Sequence, residues 1–434
     1  MARFRMKWLG ALMPGIFLIG YNIGTGSLTA MSKAGANFGT SMLWAVLVSC
    51  LITWYLINFF SRFTMITGMT AMEAYRRHIH PVYAWVLWGG LTVIILSALM
   101  GMMGILVDVL AVWCQKMHGF AINRGAAGVI VAGVVLALIW IGNTKRFEAM
   151  LGIMVALMGL AFIGSAIRFF PGFEVTMKGF IPSLPEMATS SEMQSAMQVA
   201  EGSDNNPYVI LAGMVGTTVS VFAFLIRSGQ VKDHGWTMAD WKMQKRDALV
   251  SATMMFILSA SVLITAAATL HARGLKMNHI SEMIPMLRPL FGDLALFLFV
   301  AGILAAGVSS HLPNMMVIPW LTRDMQGQPR TNRTAGTAYV FGLLTLVSIL
   351  GAVLETRPIF LMLLSQAGIS LVMPLALIGL IWLSSRKELM GDRLPRTVEW
   401  VLLGGITAFS LFMSKLALQG LIADLYKMID RMIA

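Results

Sequence analysis

The chain reads as an all-α integral membrane protein in which two inverted repeats of five transmembrane helices are followed by an eleventh. Three observations lead there: the composition, the spacing of the apolar segments, and a break in the first and sixth of them. Of the 434 residues, 57% are hydrophobic and only 12% charged, against about 45 to 50% and about 25% in an ordinary soluble domain. A hydrocarbon core needs about 20 apolar residues per helical span, and eleven segments qualify: roughly 8–30, 41–60, 83–111, 126–142, 148–167, 208–228, 248–271, 292–319, 336–354, 359–384 and 398–420. They occupy the whole chain as one transmembrane domain, 1–434, with repeat one at about 8–167, repeat two at about 208–384 and the extra helix at about 398–420.

The first span follows Arg3, Arg5 and Lys7. It is longer than a signal-peptide core and lacks a small-residue cleavage site, so it reads as a retained helix. Within it, Asn22-Ile23-Gly24-Thr25-Gly26-Ser27 interrupts the apolar run. Irregular backbone at membrane depth is tolerated only where it lines a cavity. The sixth span carries a matching feature: Gly213, Gly216, Thr217, Thr218 and Ser220 fall within eight positions, where lipid-facing helix favours Leu and Ile. Taken singly, each segment is also what close helix packing through small residues produces. Each opens its own half of the chain.

The longest connection, Phe169 to Pro207, separates five spans from six. An odd number of spans per half forces the halves into opposite orientations, the arrangement of inverted-repeat transporters. Leu421 to Ala434 is amphipathic and too short to span, which predicts an interfacial segment. The Lys and Arg excess falls on the segments that are cytoplasmic if the N-terminus is inside, placing the C-terminus outside and the protein in a bacterial inner membrane. The net charge of +12 then reflects topology and not nucleic-acid binding, and no basic stripe with interleaved aromatics argues otherwise. Expected partners are membrane lipid and a small-molecule or ion substrate.

No P-loop, His-Glu-x-x-His, paired CxxC or nucleophile elbow is present, so neither an enzyme nor an ATP-driven pump is indicated and no cofactor is expected. Cys50 and Cys114 form no disulfide framework. The 36 methionines are scattered, and Met is ordinary packing material; the composition alone carries no weight.

Four stretches resemble the NRAMP (natural resistance-associated macrophage protein) divalent-metal transporters. They are Pro14-Gly15 with the break and Ala34-Gly35-Ala36-Asn37-Phe38-Gly39 and Leu43-Trp44; Gly216-Thr217-Thr218-Val219; Ala301 to Ser310; and Leu364-Ser365-Gln366 with Met373-Pro374 and Lys387 to Gly391. The resemblance implies the LeuT-like fold, alternating access, and a substrate held between unwound first and sixth helices. The family's functional residues carry over unevenly. Its Asp-Pro-Gly-Asn aligns with Gly24, Thr25, Gly26 and Ser27, so the metal-binding carboxylate is replaced. Its sixth-helix methionine falls on Ser220, the neighbouring Pro-His on Val221 and Phe222, and a second histidine on Arg227, while the third-helix acids of its proton route align with Leu99 and Met102. Gln366 matches a family ligand.

The resulting substrate site comprises Asn22, Gly24, Thr25, Gly26, Ser27, Thr217, Thr218, Ser220 and Gln366, with Ser27, Thr217, Ser220 and Gln366 as metal ligands. Such a site has dipoles and no carboxylate. It suits a hydrated or alkali-like cation, since loss of the soft methionine ligand leaves hard oxygen chemistry. The same lining suits a small organic anion or zwitterion held at half-helix N-termini, and a membrane sensor that kept the fold without transport is a third reading. For ion coupling the residues to weigh are Asp108, His311 and Arg227. Asp108 is equally an outer-end residue reaching interfacial water, His311 a buried histidine bonded to a neighbour, and Arg227 a snorkelling residue at the cytoplasmic end of the sixth helix. Glu73 with Arg76 and Arg77 reads as an interfacial turn, and Lys145, Arg146 and Glu148 as a solvated helix start.

Overall fold

The computed structural model describes residues 24–141, 145–183, 206–277, 279–292, 294–331, 334–354 and 358–433. Among these, every regular element is helical. The principal helices are α1 (Thr25–Phe38), α2 (Leu43–Thr67), α3 (Pro81–His118), α4 (Arg124–Ile141), α5 (Lys145–Arg168), α6a (Pro207–Thr218), α6b (Val221–Asp233), α7 (Trp241–Thr269), α8 (Leu294–Gln326), α9 (Ala335–Val353), α10 (Pro358–Ser384) and α11 (Thr397–Ile433). Eight of the described segments are long and apolar enough to cross a membrane, with α6a and α6b counted together, and α4 and part of α5 form two shorter apolar helices. With α1, these correspond to the eleven expected spans. The start of the first span, including Asn22, lies outside the described residues, as do the side chains of Lys145, Arg146 and Glu148.

Local chemistry sets the helix ends. His80 accepts from the Val82 amide at 3.2 Å with Pro81 in the first helical position of α3, and Asn206 caps α6a ahead of Pro207 in the same way; proline there wastes no hydrogen bond because that N–H has no helical partner. Gly68 and Gly119 close α2 and α3 in the left-handed conformation. Pro313 and Pro319 sit within α8 and Pro374 within α10; helices at membrane depth tolerate proline where packed neighbours re-satisfy the freed carbonyls.

The packing displays the repeat. α1 lies along α7 while α6b lies along α2, and α5 lies on α8 while α10 lies on α3. Each pair becomes the other when the first helix is exchanged for the sixth, the second for the seventh, the third for the eighth and the fifth for the tenth. α3 is the central post, contacting α4, α8, α9 and α10. α1, α2, α6 and α7 make one group and α3, α4, α8 and α9 another, with α5 and α10 bridging them.

One expectation is corrected, and one connection gains detail. Leu421 to Ile433 is a continuation of α11 and not a separate interfacial segment, because nothing in that stretch breaks the helix. The described part of the 169–207 connection contains a short helix, Phe173–Lys178, whose end packs against the start of α2, where the Trp44 backbone N–H donates to the Gly179 carbonyl at 2.8 Å.

Candidate functional site

The sixth span is divided at Val219 and Ser220. Val219 has φ −89° and ψ 67°, and Ser220 has φ −87° and ψ 117°, so two consecutive residues leave the helical region. The interruption creates carbonyls and amides that need partners. The Thr218 carbonyl accepts from Thr53 Oγ1 of α2 at 2.8 Å, and the Val219 amide donates to Val215 at 2.7 Å. At the start of α6b no side chain caps the first N–H groups. On the other repeat, α1 begins at Thr25 after Gly24 in extended conformation, again without a side-chain cap.

Both openings meet α10 at Gln366. A Cβ placed on Gly26 would fall 2.5 Å from Gln366 Nε2, and one on Gly216 would fall 1.9 Å from the Gln366 carbonyl oxygen. Glycine at these two positions is therefore what lets the first and sixth helices close on the tenth from either side. Ser370 Oγ, one turn further along α10, donates to the Ala212 carbonyl at 3.0 Å and fixes the same contact.

Around this junction lies a cavity of about 40 Å³, room for no more than about three waters. Gly24, Gly26 and Ser27 of the first helix line it with Thr217, Ser220 and Phe222 of the sixth and Met362, Ser365, Gln366 and Ile369 of α10. α3 closes it with Ile94, Ala98 and Met102, and α8 with Ser310 and Asn314. Thr25 and Thr218, named from the sequence, are buried but do not line it. Thr218 Oγ1 instead donates back to the Met214 carbonyl at 3.1 Å.

Sequence reasoning missed the α8 and α3 walls. Ser310 and Asn314 are four apart, and the Asn314 amide donates to the Ser310 carbonyl at 2.8 Å; that i, i+4 polar stripe in an apolar span was the available signal. Met102 was considered only as a position aligned with a missing acid. Lys33 was also missed: it is fully buried in α1, seven residues beyond Gly26 and thus on nearly the same helix face. Among the described residues no group of three or more His, Cys, Asp or Glu could hold a metal ion. The lining mixes hydroxyl and amide side chains with apolar ones and is formally neutral.

The three residues weighed for ion coupling lie elsewhere. Asp108 pairs with Arg124 at 2.5 Å where α3 meets the start of α4, at the end of the bundle away from the basic connections. His311 is buried in the α3, α8 and α9 group, with Nε2 2.9 Å from Ser348 Oγ, which in turn donates to the Leu99 carbonyl at 3.3 Å. Arg227 does not snorkel. It is fully buried, paired with Asp247 of α7, bonded through Nε to Gln244 Oε1 at 3.1 Å, and stacked over Trp236 at 5.2 Å. An acid just inside α7 makes burial of the guanidinium tolerable.

Charge concentrates instead at the basic end of the bundle, formed by the connections after α2, α6b, α8 and α10. Glu73 is buried, not an interfacial residue, and its carboxylate holds Arg77 at 3.0 Å and Lys232 of α6b at 2.6 Å. Arg330, just beyond α8, grips Asp324 with two bonds of 2.6 and 3.0 Å, donates to the Ile226 carbonyl of α6b at 3.4 Å, and lies over Trp320. Its guanidinium fills the notch above Gly229, where a Cβ would fall 1.6 Å from Nη2.

Comparison with known proteins agrees with this architecture. The chain is 27% identical over 94% of its length to the divalent metal cation transporter MntH of Brucella suis, 87% of which is covered. It is 26% identical over 92% of its length to MntH 1 of Pseudomonas aeruginosa, covering 89%. Its fold matches the crystal structure of the Eremococcus coleocola manganese transporter in complex with an aromatic bis-isothiourea substituted compound, at a TM-score of 0.71 and 17% identity, over 96% of this chain and 86% of that one. Mhp1 in its inward-facing conformation matches more distantly, at a TM-score of 0.53 and 16% identity, over 95% of this chain and 88% of that one. The model of the Nramp family, "Natural resistance-associated macrophage protein-like", matches residues 15–419, and a match over nearly the whole chain with this helix arrangement makes the protein a member of the Nramp family of multi-pass membrane transporters.

Proposed function

We propose that the protein is a secondary active transporter that carries a small inorganic cation through the membrane by alternating access, with the 40 Å³ cavity as its cargo site. The observation that carries this reading is the meeting of two helix openings on one α10 residue, Gln366, inside a buried polar cavity. An interrupted sixth helix and the start of α1, meeting at the repeat interface, expose peptide dipoles and hydroxyls that exchange for part of an ion's water shell. Ser27, Thr217, Ser220 and Gln366 supply oxygen to the ion, and the relatives named divalent metal cation transporters support a metal ion as the cargo.

Under this reading the whole chain is one transmembrane unit in a bacterial inner membrane. The basic end faces the cytoplasm, in keeping with the preference of Lys and Arg for that side. Movement of the α1, α2, α6 and α7 group against α3, α4, α8 and α9 opens the cavity first to one side and then to the other.

Uptake by proteoliposomes loaded with a metal-sensitive dye tests the reading: metal-dependent quenching that falls in Gln366→Ala supports it, and an absence of flux of any cation in folded protein ends it. A second reading, a small anion or zwitterion, is favoured by the uncapped N-terminus of α6b at the cavity, since free N–H groups at a helix start attract negative charge. Labelled amino-acid or carboxylate uptake by the same vesicles separates the two.

A further inference from the structure

The cavity walls hold two thioethers. Met102 of α3 and Met362 of α10 both line it, and both are buried. A Cβ on Gly26 would lie 2.5 Å from Gln366 Nε2 and 2.8 Å from Met362 Cε, so the tip of Met362 and the Gln366 amide crowd one point at the opening of the first helix. Met362 Sδ passes 3.1 Å from where a Cβ on Gly101 would stand, beside Met102. The Met102 sulfur is itself fixed in place, 3.8 Å from the Asn314 amide nitrogen that donates to it.

These sulfurs bear on which cation the cavity takes. The expected soft ligand of the sixth helix is replaced by Ser220, which on sequence grounds leaves only hard oxygen. In the folded chain soft donors return from two other helices. The donor set is then thioether sulfur with amide, hydroxyl and carbonyl oxygen, and it carries no negative charge. The cost of dehydrating an ion rises steeply with its charge, and neutral dipoles offset it poorly for a divalent ion. Thioethers select soft cations, with copper(I) the leading example. Soft donors and an uncharged wall together favour a soft ion of single charge.

We propose that Met102 and Met362 are cargo ligands and that the cavity takes a soft, singly charged metal ion of the copper(I) type. This rests on the reading of the cavity as the cargo site and narrows its cargo from cations in general. Met packs well in any irregular interior, so the test must separate ligation from packing.

Silver(I), which has the same charge and closed d shell and no accessible redox partner, is the probe. Full-length protein in nitrate-buffered proteoliposomes is assayed for silver and for manganese(II) uptake by elemental analysis, in wild type, Met102→Leu, Met362→Leu, the double variant and a control, Met286→Leu, whose buried side chain lies away from the cavity. Leucine is close in volume to methionine and keeps the core filled, and thermal melts confirm folding. The expected result is silver uptake in wild type that falls at least about tenfold at subsaturating silver in the double variant, a loss of the size that follows removal of metal-site partners, with Met286→Leu unchanged. X-ray absorption at the silver edge of the bound protein should show silver–sulfur scattering in wild type that the double variant lacks.

Equal silver uptake in wild type and double variant, or silver bound through oxygen alone, overturns the assignment of the two methionines. Manganese flux without silver flux overturns the cargo class while leaving the cavity as a cation site. No flux of either ion and no ligand-induced shift in Tm removes the cargo-site reading itself, and this inference with it.

Discussion

The middle of the protein and its basic end treat charge in opposite ways. Around Gln366 the cavity is formally neutral, lined by hydroxyls, amides, methionines, other apolar side chains and the starts of two helices. At the basic end the chain buries Glu73, Arg227, Asp247 and Asp324 and most of the Arg330 side chain, on α6b, α7 and α8 and just beyond α2 and α8. The contrast separates two uses of polar groups in a membrane protein. Ions paired within the chain fasten helix ends, whereas the centre is lined by dipoles that carry no formal charge.

That separation is breakable by experiment, and the largest effect should come from the basic end. Asp247→Asn leaves Arg227 buried without its counter-charge, and removing one member of a buried pair costs about 3 to 5 kcal/mol; the thermal melt should drop by several degrees, while the affinity of whatever remains folded for its cargo is unchanged. If cargo affinity fell in parallel, the two regions would not be independent. Gly216→Ala comes next. Its Cβ would stand 1.9 Å from a backbone oxygen, which cannot swing away like a side chain, so α6a and α10 must part at a cost of about 1 to 3 kcal/mol, read as a lower Tm together with lost uptake.

Gln366→Ala sharpens the comparison from the other side. Uptake should fall about tenfold, the equivalent of about 1.4 kcal/mol of binding, with the melt nearly unmoved; a large loss of stability with normal uptake would make Gln366 a packing residue. The smallest effect belongs to the exposed pair of Glu174 and Lys178 at 2.7 Å. Such i, i+4 surface pairs contribute well under about 1 kcal/mol, and Lys178→Gln should leave both melt and uptake at wild-type values.

The same contrast explains what could be read in advance. Hydrophobic length and the odd number of spans per half disclosed the helices and the inverted repeat, because a bilayer imposes both on any sequence that crosses it. The break in the sixth span was legible for a related reason: glycine and hydroxyl residues at membrane depth conflict with lipid exposure; of the first, the described residues show the helix start at Thr25. Gln366 was reached through a resemblance, and the structure puts it against both openings. The α3 and α8 walls were not legible, since whether Met102 or Asn314 faces a cavity depends on how whole helices are rotated in the bundle. Arg227 was misread because its partner Asp247 lies twenty residues on, across a turn whose folding back against α6b no local pattern announces. Glu73 was misread for a like reason, its partner Lys232 being supplied by the other repeat.

The peptide oxygen of Gln366 abuts Gly216, and its side chain reaches Gly26. Under the cargo-site reading, a tilt of α6a is transmitted by hard contact to the very amino acid whose amide lines the chamber, and a guest pushing on that amide presses in return on the start of the first helix. Fulcrum and sensor coincide in one residue of α10. On that reading, occupancy and gate position are linked mechanically, with no relay of intermediates between them.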